Sequence, residues 1–224
     1  RCREVPCDVL APGALHFYDA ATAFRLGATD RQLRATLLRQ LTSVSVTLRR
    51  KRLQRATTAS LAQSLGTLES LKVLVADVSF SSLGEDGARE FAQAVSTLRN
   101  LVRLDLSLSG CGLGPGDLRK VSKELGGLHS LARLKLDIGF NDAGDAGMRE
   151  LSQAIGSLSA LRQLEVQANR NRVGDMGAGW LAQALTGLPR LQDLSLQLFD
   201  NRIGETGAHE LARAIRGFHP PSRL

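Results

Sequence analysis

The chain has 224 residues, of which 43% are hydrophobic and 23% are charged, and its formal net charge at pH 7 is +7. This composition is typical of a globular protein with one sizeable core, and the absence of an apolar run of about 18 residues argues against a transmembrane segment. The charge is uneven, because residues 1–70 hold 11 basic and 5 acidic residues whereas residues 71–224 hold 18 and 17.

The cysteine content favours a reducing location. Three cysteines do not form a disulfide framework; Cys2 and Cys7 could pair or stay free, and the rest of the chain would not depend on either state. The sequence begins at Arg1 and shows no signal-peptide pattern. We expect an intracellular protein, in the cytoplasm or in an organelle after removal of an N-terminal segment.

Residues 1–40 differ in pattern from the rest of the chain. The segments 13–24 and 30–41 are predicted to form two short helices, with Asp30 as the N-cap of the second. We interpret residues 1–40 as an N-terminal helical cap.

Residues 41–220 contain six consecutive repeats of 30 residues without a gap. A leucine opens every copy, and an apolar residue followed in five copies by glycine recurs twelve positions later. A fixed period of this length indicates a solenoid, in which each unit buries its apolar face by stacking on its neighbours. The opening leucines are Leu41, Leu71, Leu101, Leu131, Leu161 and Leu191.

Each repeat is predicted to be a strand, a turn and a helix. In the fifth copy Leu164, Val166 and Ala168 alternate with polar residues, as in a half-buried strand. An asparagine or Cys111 occupies the following turn, where its side chain can bond the backbone of neighbouring copies. Apolar residues at helical spacing then follow. The strands are predicted near 44–48, 74–78, 104–108, 134–138, 164–168 and 194–198.

These units predict the overall fold. Successive strands joined through helices must run parallel, and helices need more width than strands. The stack therefore bends into an α/β horseshoe with a concave parallel β-sheet and convex α-helices. The last helix is expected to cap the C-terminal end of the solenoid. Pro220 and Pro221 are expected to end the regular structure, and residues 221–224 are predicted to form a C-terminal tail.

The repeats resemble a known family. The segment LRQLEVQANRNRVGDMGAGWLAQALTGLPR (161–190) is similar to a leucine-rich repeat of the ribonuclease-inhibitor type through its LxxLxL and NxxVGDxGAxxLAxAL patterns. This chain departs from the usual 28–29-residue period with a 30-residue repeat and an extended LxLxL strand. The resemblance implies a leucine-rich repeat solenoid that binds other proteins, and it does not identify the partner.

The sequence offers no catalytic or metal-binding motif. The four histidines lack partners at metal-ligand spacing, and neither GxxxxGK[ST] nor GxSxG is present. We therefore expect a chain that is not an enzyme and requires no cofactor. Cys111 has a structural explanation, because the repeat pattern permits asparagine or cysteine in this turn.

Three surfaces are candidates for partner binding. The basic turn consists of Arg49, Arg50, Lys51 and Arg52, with Arg55 nearby; it is either a solvated turn or a contact for an acidic protein, lipid headgroup or nucleic acid. Nucleic acid is disfavoured, because aromatic residues are not interleaved with the run. The other candidates are Trp180 on the convex side and the concave strand residues Arg103, Arg133 and Lys135.

Aromatic residues are scarce on the predicted concave face, where a tight binder would normally present anchors. Phe80, Phe140 and Phe199 fall near the ends of the strands, and we expect them to pack inside rather than line a rim. Partner contacts are therefore predicted at the basic turn or Trp180 at least as much as on the sheet.

The leading hypothesis is a non-catalytic protein-binding module, such as a scaffold or accessory subunit of a multi-subunit complex. One alternative is a regulator of a GTPase, because Ran GTPase-activating proteins carry similar repeats, although they have an acidic tail where this sequence ends in FHPPSRL. Another is peripheral attachment to an acidic surface through residues 49–55.

Overall fold

Seven parallel strands and five helices make up the described part of the chain. The computed structural model describes residues 14–17, 42–50, 65, 68, 70–81 and 84–217. In chain order the elements are β1 (Ala14–Phe17), β2 (Ser43–Thr47), β3 (Val73–Asp77), α1 (Gly84–Ser96), β4 (Arg103–Ser107), α2 (Pro115–Leu125), β5 (Arg133–Asp137), α3 (Gly144–Gly156), β6 (Gln163–Gln167), α4 (Asp175–Thr186), β7 (Asp193–Gln197) and α5 (Glu205–Arg216).

The strands form a single sheet in chain order, and every pair is parallel. From β2 to β7 each residue lies opposite the residue 30 positions later, as Leu104 does opposite Leu134. The six predicted strands are confirmed, each beginning one residue earlier than predicted. The helix predicted between β2 and β3 falls mostly outside the described residues, although Leu65 is helical and buried there.

The N-terminal region corrects one prediction. Ala14–Phe17 form strand β1, which pairs with β2 so that Ala14 lies opposite Ser43, an offset of 29 residues. The helix predicted over 13–24 is therefore wrong for these four residues. The second predicted helix, 30–41, lies outside the described residues, and the 1–40 cap stays a prediction.

The core lies between the sheet and the helices. Inner strands bury every second residue, and the residue just beyond each strand, such as Leu108 or Ile138, is buried as well. Helices α1 to α5 pack side by side, each on the next. Buried leucines of strand and helix thus form one continuous cluster through the stack, as expected when each unit is stabilised by its neighbours.

Carboxylates join the start of one helix to the start of the next. Asp145 in α3 accepts hydrogen bonds through Oδ1 from the backbone N–H groups of Gly174 (2.7 Å) and Gly177 (2.9 Å). Asp175 in α4 makes the same contacts to the next repeat. A Cβ atom on Gly177 would lie 2.6 Å from Asp145 Oδ1, so this close approach requires glycine.

The last repeat is more exposed than the inner ones. Leu194, Leu196 and Leu198 are half-buried, although the equivalent residues of β4 to β6 are buried. Helix α5 packs against α4 and does not enclose these β7 side chains. The expectation that the last helix closes this end is therefore wrong for residues up to 217, and the predicted tail lies outside the described residues.

The strand phase can be tested with two adjacent substitutions. Leu164 is buried, so Leu164→Ala should lower the free energy of unfolding by about 2–5 kcal/mol. Glu165 faces outward, and Glu165→Ala should change it by less than about 0.5 kcal/mol. Equal shifts of the two variants in urea denaturation would contradict the assigned phase.

Two buried serines lack hydrogen-bond partners. Within the described residues, Ser122 Oγ and Ser152 Oγ are buried without a partner, whereas the equivalent positions in α1 and α4 are Ala92 and Ala182. Ser152→Ala should therefore raise the free energy of unfolding by about 0.5–1 kcal/mol, since it removes an unsatisfied hydroxyl and improves helix propensity.

The matched control for this prediction is Ser157→Ala. Ser157 Oγ donates to a carbonyl at 2.7 Å, that of Ala154, so its removal should not stabilise the protein. A melting temperature of the Ser152→Ala variant below that of the parent would contradict the prediction that removal of this hydroxyl stabilises the protein.

Candidate partner-binding surfaces

The concave face carries charged residues that pair with one another. Lys135 Nζ lies 2.8 Å from Glu165 Oε1, and the hydrogen bond from Lys135 lowers the pKa of Glu165. The Arg103 guanidinium binds Asp105, and this hydrogen bond raises the pKa of Arg103. Both candidate cations thus have a carboxylate partner within the sheet.

The third concave candidate is also engaged. Arg133 donates to Gln163 Oε1 at 3.3 Å and lies 4.0 Å from Asp105 Oδ1. On the outward positions of β2 to β7, acidic residues outnumber basic ones by five to three: Asp77, Asp105, Asp137, Glu165 and Asp193 against Arg103, Arg133 and Lys135. The concave face is therefore mildly acidic, and its candidate cations are neutralised locally.

Trp180 lies on α4 and is half-buried. The Arg149 guanidinium of α3 stands 5.3 Å from the centre of the indole, a cation–π contact that covers part of the ring. Trp180 is therefore a partly covered side chain on the convex side, and its role as a contact for a partner stays a prediction. A partner could reach its remaining surface only beside Arg149.

The basic turn begins at the carboxyl end of β2. Arg49 Nε donates to Ser79 Oγ at 3.0 Å and lies 3.3 Å from Asp77 Oδ2, and both Arg49 and Arg50 are exposed. Lys51, Arg52 and Arg55 lie outside the described residues. The basic turn thus starts at the edge of the sheet where all the parallel strands end.

Side-chain amides connect the turns along this edge. Asn171 is buried; its Nδ2 donates to the Ile138 carbonyl (2.8 Å) and to the Asn169 carbonyl (3.1 Å), and its Oδ1 accepts from Ala143 N (3.2 Å). Asn201 bonds the fifth repeat in the same way. The asparagine ladder predicted from the sequence is present.

Cys111 occupies the equivalent position in the third repeat. Its Sγ lies 3.2 Å from the Val78 carbonyl, and burial raises the pKa of the thiol. A raised pKa keeps the thiol protonated and lowers its reactivity, which supports the structural explanation.

Backbone hydrogen bonds between neighbouring repeats continue beyond the ends of the strands. They include a row of residues that adopt the left-handed conformation. The Phe80 N–H donates to the Ser109 carbonyl (2.7 Å), and the Phe140 N–H to the Asn169 carbonyl (2.8 Å). We call this row the edge ladder; its residues, with φ between 54° and 63°, are Arg50, Phe80, Gly110, Phe140, Arg170 and Asp200. For a bulky residue this conformation costs about 1–3 kcal/mol.

The phenylalanines at this edge are exposed, so the expectation that they pack inside is wrong. The exposed fraction is 45% for Phe80, 45% for Phe140 and 57% for Phe199. The rings of Phe80 and Phe140 meet over Gly110, with centroids 6.0 Å apart, and the Arg170 guanidinium lies 5.2 Å from the Phe140 centroid. Aromatic side chains are thus presented at the edge of the sheet rather than on its concave face.

The sequence contained a signal for this edge. Phe80 and Phe140 share one repeat position with Gly110, and a position that accepts glycine in one copy and phenylalanine in two others does not behave as a core site. The left-handed backbone at this position, which explains the alternation, could not be recognised from hydrophobic periodicity.

The turns at this edge carry most of the net charge. At sequence positions 49–52 and their equivalents in the next five repeats, seven basic residues stand against two acidic ones: Arg49, Arg50, Lys51, Arg52, Arg170, Arg172 and Arg202 against Asp142 and Asp200. The edge is therefore basic, in contrast to the mildly acidic concave face.

Neither a metal site nor a membrane-crossing helix was found in the described part of the chain. No group of three His, Cys, Asp or Glu side chains there could hold a metal ion. None of the helices described above is long and apolar enough to span a bilayer.

Comparison with known proteins supports the fold. No protein-family model matches the sequence, and no curated protein matches it. Among solved structures, the tropomodulin C-terminal domain of Caenorhabditis elegans is similar, with a TM-score of 0.52, 14% identity, and coverage of 71% of this chain and 92% of that chain. At this identity the likeness concerns the fold.

The strands, turns and helices together define a leucine-rich repeat solenoid with a concave parallel β-sheet and convex α-helices.

The asparagine ladder can be tested by a matched pair of substitutions. Asn171→Ala should lower the free energy of unfolding by about 2–4 kcal/mol, because it leaves several buried backbone groups without partners. Cys111→Ala at the equivalent position removes one weak contact and should cost less than about 1 kcal/mol. Denaturant titrations in which the two variants lose the same stability would contradict the ladder's role.

Proposed function

We propose that this chain is a non-catalytic protein-binding module and that partners contact the basic edge of its sheet. The observation that carries the proposal is the contrast between two surfaces. The concave face is mildly acidic and has almost no aromatic residues, whereas the edge presents exposed phenylalanines, and the turns that follow the strands hold seven basic residues against two acidic ones in the sequence. Aromatic and arginine side chains are enriched at protein interfaces.

The repeat type is part of the proposal. The NxxVGDxGAxxLAxAL pattern and the asparagine ladder support a ribonuclease-inhibitor-like solenoid with a lengthened repeat. A solenoid of this shape offers an extended surface without a deep cavity, which suits a scaffold or accessory subunit. An intracellular location also belongs to this proposal, supported by the few cysteines and the free thiol of Cys111.

The proposal is tested by affinity purification of the tagged chain from native material. Three variants separate the candidate surfaces: residues 49–52 changed to serine, Trp180→Ala, and a concave triple variant with Arg103, Arg133 and Lys135 changed to serine. We expect a stoichiometric protein partner to co-purify with the parent and the concave variant, and to be reduced at least fivefold with the 49–52 variant.

Salt dependence provides a second readout. Exposed charges are screened over about 10 Å at 0.1 M salt, so attachment through the basic turn should weaken between about 50 and 500 mM salt, while attachment through Trp180 should not. Absence of any stoichiometric protein partner would refute the proposal. Loss of the partner in the concave variant alone would refute its location at the edge.

A further inference from the structure

We propose that Phe80 and Phe140, together with Arg49 and Arg50, form a docking site for an acidic protein segment that packs an apolar side chain against the exposed faces of the two rings. This inference rests on the proposed function and specifies the partner's chemistry. We call the two rings and Gly110 between them the aromatic platform.

The backbone register brings the two rings of the aromatic platform close to each other. The edge ladder holds consecutive repeats in register, with Gly110 N donating to the Gly139 carbonyl at 2.9 Å. Side chains one repeat apart therefore stand about 4.8 Å from each other. Phe80 and Phe140 are two repeats apart, and both rings lean over Gly110 until their centroids are 6.0 Å apart.

Gly110 is required for this arrangement. A Cβ atom at this position would lie 2.5 Å from Cδ1 of Phe80, so any other residue would displace the ring. The glycine thus makes room for the Phe80 ring to approach that of Phe140, and each ring stays about half exposed.

Stability does not explain the two phenylalanines. Both are held at φ 55°, where glycine or asparagine is favoured, and both expose an apolar ring. Strained residues of this kind concentrate at ligand-binding sites. The left-handed backbone is common to the whole edge ladder, but at Phe80 and Phe140 it coincides with an exposed apolar ring, and this combination points to recognition.

Charge at the two ends of the platform identifies the occupant. Arg50 precedes Phe80 in the edge ladder and is exposed, and Arg49 lies beside it; Lys51 and Arg52 follow directly in the sequence. At the other end Arg170 lies over Phe140 but is paired with Asp200 at 2.7 Å. Arg49 is also engaged by Asp77, at 3.3 Å, but the exposed Arg50 beside it keeps a net positive charge at this end, where carboxylates of a partner would be attracted.

An acidic segment with an aromatic or large aliphatic residue satisfies both features. Its apolar side chain would bury the exposed faces of the rings, and its carboxylates would pair with Arg49 and Arg50. Neither the concave face, which is mildly acidic, nor the Trp180 region, where Arg149 covers part of the indole, combines these properties.

The test is a selection from a phage library of random 12-residue peptides on the folded chain. The comparison variant is Phe80→Asn with Phe140→Asn, because asparagine tolerates the left-handed backbone and the rings are at the surface. The control is Val102→Asn, which alters an exposed apolar residue next to the opposite end of β4. Circular dichroism checks that all variants fold.

We expect the selected peptides to combine Asp or Glu with an aromatic or large aliphatic residue. A synthetic peptide of the most enriched sequence should bind the double Asn variant at least tenfold more weakly than the parent, and the Val102→Asn variant within twofold. Arg49→Ser with Arg50→Ser should also weaken binding at least fivefold and reduce its salt dependence, which gives a second readout should the double Asn variant fail to fold.

Other results would overturn the inference. These are the absence of enrichment, selected peptides without acidic residues, or equal binding to the parent and the double Asn variant. Tight binding of a 20-nucleotide oligothymidine that is lost in the double Asn variant would assign the platform to nucleic acid. A native partner that co-purifies equally with the double Asn variant would refute this inference while leaving the protein-binding function intact.

Discussion

The structure depends on one constraint, the backbone register of 30 residues between neighbouring strands. Because each strand from β2 onwards pairs with the next at the same offset, every repeat position becomes a row of side chains along the solenoid. Buried rows form the core, the asparagine row joins the turns, and the carboxylates of α3 and α4 cap the helix that follows each of them. The same register carries the edge ladder past the ends of the strands.

The register also determines how the concave face and the edge of the sheet differ in charge. Charged residues on the concave rows find partners in the same sheet, as Lys135 does with Glu165, so much of their charge is satisfied within the chain. The turn rows have few acidic residues and retain a positive charge. Arg49, Arg170 and Arg172 also have carboxylate partners. Basic residues nevertheless outnumber acidic ones in the turns and not on the concave face, which is why the edge is the stronger candidate.

The fold was largely predictable because the period of 30 and the two-residue alternation are direct consequences of its geometry. Strand β1 escaped prediction because its offset is 29 residues and the alternation in Ala14–Phe17 is short. The exposure of β7 was missed because sequence periodicity cannot distinguish an inner repeat from the last one.

The candidate site was predictable only in part. The basic turn was visible as a run of charge, but the aromatic platform depends on a left-handed backbone and on contacts between residues 60 positions apart. Pairing of Arg133 and Lys135 likewise arises from neighbours in different repeats. Such contacts can be recognised only when the positions of the side chains in the three-dimensional structure are known.

Recognition of partners at the edge where the strands end is tested most directly by an NMR titration of the ¹⁵N-labelled chain with its purified partner. We expect the largest chemical-shift changes at the amides of Phe80, Gly110 and Phe140. Changes confined to the concave residues Arg103, Lys135 and Glu165, or to the indole N–H of Trp180, would contradict this expectation.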